Sequence, residues 1–105
     1  MQRQLLFTEE AAGQLLKLKS NPSRKGLCRQ VLKTLALLEL NTKHPGLHTH
    51  EYQSLIGANG ERIWEAFVQN QTPGAYRVFF HYGPDTAVGK KHIPVLTIVA
   101  MVAHP

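Results

Sequence analysis

Apolar residues follow two different periods along this chain of 105 residues. From Ala11 to Leu40 they recur every three or four positions, which is the spacing of a helix with one buried stripe. From Arg62 onward they alternate with polar residues or run unbroken, as strands do. Leu5, Leu6 and Phe7 read as a short strand before Thr8. Thr8 is a natural N-cap, with Glu9 and Glu10 in the first turn where the helix dipole favours negative charge. Ala11, Ala12, Leu15, Leu16 and Leu18 form the stripe of a first helix, to about Ser20. Asn21-Pro22 stops that helix and starts a second, with Asn as cap and Pro at the first helical position. Leu27, Val31, Leu35 and Leu38, widened by Cys28, Leu32 and Ala36, carry the second helix to about Leu40.

Between Asn41 and Gly60 the periodicity dissolves, and the turn dipeptides Pro45-Gly46 and Asn59-Gly60 predict a loop holding one short strand or turn. Arg62 to Val68 and Ala75 to Tyr82 then read as two strands joined by Asn70-Gln71-Thr72-Pro73-Gly74, the chemistry of a type II turn. Alternation puts Tyr76, Val78, Phe80 and Tyr82 on one face of the second strand, and Arg77, Phe79 and His81 on the other. Thr86 to Lys91 reads as a polar connection. Ile93 to Ala103 is apolar on both faces, as in a central strand. The expectation is one α+β domain over residues 1–105: a short N-terminal strand, an antiparallel helix pair, then a three-stranded antiparallel sheet with the helices on one face.

Charge adds a direction. Twelve Lys and Arg against seven Asp and Glu leave +5, and no acid interrupts Lys17, Lys19, Arg24, Lys25, Arg29 and Lys33. A one-signed stretch of this kind favours an acidic partner, a polyanion or an acidic protein segment. No apolar run approaches membrane-spanning length, and the N-terminus lacks the apolar core and cleavage site of a signal peptide. Cys28, the sole cysteine, has no partner for an internal disulfide. These features point to the cytoplasm.

Little else in the sequence carries chemistry. His44, His48 and His50 lack the further ligands a metal site needs, and no phosphate-binding or nucleophile motif occurs, so neither metal nor cofactor is expected. Acid–base cleavage of RNA fits better. It requires a base for the 2′-OH proton, an acid for the leaving oxygen and cations for the charge on phosphorus. Arg77, His81 and His104 come from neighbouring strands or their ends, with Arg62 and Glu65 on the hairpin partner. An arginine between Tyr76 and Val78 is costly to place unless its guanidinium reaches water or an anion.

The element order, with GERIWEAFV, GAYRVFFHYGPD and VLTIVAMVAHP, resembles the RelE/ParE superfamily of toxins from type II toxin–antitoxin systems. The resemblance extends over nearly the whole chain and is densest at Tyr76-Arg77-Val78-Phe79-Phe80. It implies a RelE-like fold, a cognate antitoxin as partner, and one of two activities. One is ribosome-dependent endonucleolysis of mRNA, which blocks translation. The other is the non-enzymatic inhibition of DNA gyrase by the ParE branch, or a toxin-like module without catalysis. On the nuclease reading Arg77 matches the arginine that stabilises the scissile phosphate, His104 matches a C-terminal acid–base histidine, and His81 is a further candidate. Arg62, Lys43, Arg24, Lys25 and Arg29 would contact nucleic acid. Trp64-Glu65-Ala66-Phe67 departs from the pattern by offering no cation on that strand.

Overall fold

The computed structural model of the chain describes residues 2–69 and 74–104. Its elements are β1 (Gln4–Phe7), α1 (Glu9–Ser20), α2 (Lys25–Leu40), β2 (His50–Ile56), β3 (Arg62–Phe67), β4 (Tyr76–Tyr82), β5 (Thr86–Val88), β6 (Lys91–Ile93) and β7 (Val95–Ala103). Thr8 caps α1 as its position predicts, its side chain accepting the Ala11 N–H at 3.2 Å. The same hydroxyl donates to the Val99 carbonyl at 3.2 Å and so pins the start of α1 to β7. Asn21 also caps, but what it caps is a 3-10 turn over Pro22–Arg24, and the second α-helix begins only at Lys25.

The fold is α+β, and its sheet is larger than the three antiparallel strands expected. Five strands run in the order β1-β7-β4-β3-β2, with β1 parallel to β7 and every other pair antiparallel. Two features account for the difference. The N-terminal segment pairs with the far end of the chain, Gln4 opposite Val95 and Phe7 opposite Ile98. The segment read as loop contains an edge strand, β2, which needs only one ladder and no regular apolar alternation. The polar connection after β4 is a small separate ribbon of β5 and β6. The turn expected over Asn70–Pro73 lies outside the described residues; Gly74, which follows, has φ +71, a conformation that favours glycine.

Alternation along β4 sorts the molecule into two sides. Val78 and Phe80 are buried with Ala66, Leu96, Ile98 and Met101 against Ala11, Leu18, Val31, Leu35 and Leu38 of the helices. Burying such a side chain contributes about 1.5–3 kcal/mol each, so this layer dominates the core. On the opposite face Ile63, Phe79 and Ala100 form a smaller cluster, edged by Tyr52, Val99 and Val102, whose apolar neighbours among the described residues include none from a helix. That face carries most of the polar groups of interest. No helix among the described residues is long and apolar enough to cross a membrane.

Candidate active site

The centre of this second face is Glu65. Its position in β3, between Trp64 and Ala66 which face the helices, turns it outward, yet the residue is only 1% exposed. Two imidazoles cover it. His50 lies directly opposite on β2 and brings Nε2 to 2.7 Å from Oε1. His104, just past the end of β7, brings Nε2 to 3.2 Å from Oε2. The His104 backbone N–H donates to the Ala75 carbonyl at 2.8 Å, which fixes the end of the chain beside β4. Both imidazole side chains are nearly half exposed, 49% and 42%. A shielded carboxylate is therefore held between two solvent-facing bases.

The hydrogen bonds assign protons. His50 Nδ1 is 2.7 Å from the His48 carbonyl, which can only accept, so Nδ1 carries hydrogen. Nε2 is the ring nitrogen left facing Glu65 Oε1 at 2.7 Å. His104 has its Nε2 toward Glu65, at an angle that leaves Oε2 without an aligned donor. A buried carboxylate oxygen lacking an aligned donor has a strong demand for a partner.

Arg77 stands on the same face but is not the open guanidinium that the sequence suggests. It is 8% exposed, stacked over the Phe67 ring at 3.8 Å from its centroid. Nη1 donates to the Gln69 carbonyl at 2.7 Å and to the Tyr76 carbonyl at 3.1 Å, while Nε is buried without a partner. The arginine avoids the cost of burial by closing the strand end onto carbonyl oxygens. Phe67 links it to the centre, since its ring also meets His50 edge-on at 5.7 Å. Tyr52 closes the other side, 5.0 Å from Phe79 and 5.9 Å from His104 between ring centroids.

The remaining candidates lie apart. His81 is four residues along β4 from Arg77, about 13 Å at strand spacing, and it is buried beside Glu61, with 3.9 Å between Nε2 and Oε2. Glu61 has its carboxyl below the usual value near 4.5, chiefly because the Asn59 N–H donates to Oε1 at 2.9 Å. Arg62 is exposed at the start of β3, 4.0 Å from Glu51. Arg24 sits over the Tyr76 ring at 5.7 Å and reaches its hydroxyl at 3.4 Å. Lys25 and Arg29 belong to the helix layer, across the sheet from His104, and Lys43 belongs to the loop after α2.

Of the expected site residues, then, Arg77 and His104 stand together, whereas His81 lies farther along β4 beside Glu61 and the basic side chains do not join them. Glu65 and His50, which the sequence suggests only as a hairpin neighbour and a loop residue, are the members of the group that spacing does not reveal. A carboxylate inside the apolar strand Ile63-Trp64-Glu65-Ala66-Phe67 was the available signal, because such a group is not buried without partners. Among the described residues no group of His, Cys, Asp and Glu is arranged to hold a metal ion. His44 instead accepts the Gly46 N–H through Nδ1, and His48 packs on Phe67. No family model, curated protein or solved structure matches the chain.

Proposed function

We propose that the chain is the toxin of a type II toxin–antitoxin module with a RelE-like fold, acting as a metal-independent, ribosome-dependent mRNA endonuclease. The observation that carries this reading is Glu65 held between the half-exposed imidazoles of His50 and His104. Cleavage of RNA by its own 2′-oxygen needs little more. A base removes the 2′-OH proton as that oxygen bonds to phosphorus. The 5′-oxygen leaves with a proton, and the products are a cyclic phosphate and a free 5′-hydroxyl. His104, with Nδ1 free of hydrogen bonds among the described residues, suits the base. His50, nearly half exposed beside the same carboxylate, suits the acid when its ring is protonated, giving that proton to the 5′-oxygen as it leaves. Arg77 supplies fixed positive charge across Phe67, and the helix-layer cations Arg24, Lys25 and Arg29 suit contacts to ribosomal RNA. A cognate antitoxin would cover this face or the helices.

One observation favours the second reading, a non-enzymatic inhibitor of the ParE kind. Nη1 of Arg77 is already committed to two carbonyls, which weakens its fit to a phosphorane. Purified protein separates the two. The endonuclease reading expects 5′-hydroxyl fragments from translated message and no effect on gyrase. Inhibition of gyrase supercoiling with the message intact would overturn it. Loss of cleavage in His104→Ala, with an unchanged circular dichroism spectrum, is the expected control.

A further inference from the structure

On the other side of the sheet, a cavity of about 400 Å³ opens between the loop after α2 and the strands β3 and β4. It is lined by Trp64 and Tyr82 on one hand and by Lys43, His44, His48 and Thr49 on the other. We propose that this cavity binds one base–phosphate unit of single-stranded RNA. The inference stands apart from cleavage at His104, because Trp64 and Tyr82 face the helix side while Glu65 faces the other side.

The pocket is of ligand size, and its chemistry is that of a stacking platform beside cations. Trp64 and Tyr82 meet edge to face at 6.0 Å. Tyr82 is held in place by its hydroxyl, which donates to Thr42 Oγ1 at 3.0 Å, and by the Arg3 guanidinium 5.0 Å from its ring centroid. Among the described residues no carboxylate lines the cavity, and Lys43, His44 and His48 are all exposed. The acceptor role of His44 Nδ1 toward the Gly46 N–H places a neutral ring's proton on Nε2, a donor for phosphate oxygen. The loop is also shaped in advance. Thr49 Oγ1 donates to the Thr42 carbonyl at 2.7 Å, and His48 adopts φ +48, an uncommon left-handed conformation for a non-glycine residue that gathers at functional sites. Aromatic wall, donors and absent acids together select a nucleotide over an acidic peptide, which would leave the aromatic faces unused.

Trp64 is the only tryptophan and lines this cavity, so its fluorescence reports on binding there. The full chain is titrated with a 2′-O-methyl pentanucleotide, which cannot be cleaved, and separately with AMP and with inorganic phosphate. The expected result is saturable quenching by the pentanucleotide, weaker quenching by AMP and none by phosphate. Lys43→Ala, an exposed loop position, should weaken pentanucleotide binding about fivefold, and Tyr82→Leu by tenfold or more. Quenching should survive in His104→Ala, which keeps the pocket separable from the cleavage reading. Three outcomes would overturn the proposal: no quenching, quenching equal in Lys43→Ala and the parent chain, or phosphate alone quenching as well as the pentanucleotide.

Discussion

At the scale of single residues, Arg77 is an anchor, tied to the Gln69 and Tyr76 carbonyls and stacked on Phe67. These partners are not visible from β4 alone, so its sequence context suggests an open cation instead. Arg77→Ala should therefore cost about 2–3 kcal/mol of stability, from two charge-assisted hydrogen bonds and one cation–π contact, read as a lower midpoint in urea. A stability unchanged within error would return Arg77 to a purely functional role. Glu65→Gln behaves oppositely. The amide keeps the shape and can still bond to one imidazole, so stability should change by less than about 1 kcal/mol. If the endonuclease proposal holds, cleavage should fall by about 10²-fold or more, because the amide no longer orients and charges the two imidazoles as the carboxylate does. Single-turnover rates on a ribosome-bound message check this.

At the scale of elements, what was legible was local. The Thr8 cap, the end of α1 and the two faces of β4 each follow from residues within a few positions of one another. Thr8→Ala should cost about 1–2 kcal/mol, at the upper part of that range because the hydroxyl also bonds to Val99; a thermal melt would show it. What could not be read depends on distant partners. β1 is four residues long and exists because β7 accepts it. β2 shows an irregular register between Glu51 and Ile56 and no apolar alternation, so nothing in His50-Glu51-Tyr52-Gln53-Ser54 marks a strand. The turn that leads into β3 offers a pH test. The Glu61 carboxyl is lowered by the Asn59 N–H, so its bond stabilises the turn above pH 4.5 and is lost as pH falls through the lower folded value. The Asn59 amide resonance should follow one titration with its midpoint below 4.5. A Cβ at Gly57 would fall on the Glu61 carboxylate, so Gly57→Ala should displace that group and move the midpoint back up.

At the scale of the whole molecule, the sheet divides two kinds of charge. The imidazole–carboxylate group lies on one face, and the acid-free run of Lys17, Lys19, Arg24, Lys25, Arg29 and Lys33 belongs to the helix layer on the other. The site residues come from three separate strands or their ends, which is why their meeting could not be read from spacing: His50 enters on β2, Glu65 on β3 and His104 after β7. The division predicts that affinity and chemistry separate under mutation. Removing charge from the exposed helix positions, as in the double variant Lys25→Ala and Arg29→Ala, takes away phosphate contacts without touching Glu65. If both contact ribosomal RNA, the slope of log affinity against log salt should become shallower by about 1.4 to 1.8, at roughly 0.7 to 0.9 per contact. The cleavage rate at saturating ribosomes should stay within about twofold, since no group at the reacting atoms is altered. His104→Ala should do the reverse, abolishing cleavage and leaving the slope unchanged. Filter binding between low and moderate salt, paired with single-turnover cleavage, reads both quantities on the same protein. A double variant that binds with the parent slope would remove the helix layer from the interface, and one that binds normally but cuts slowly would place the reacting groups on the helix side of the sheet.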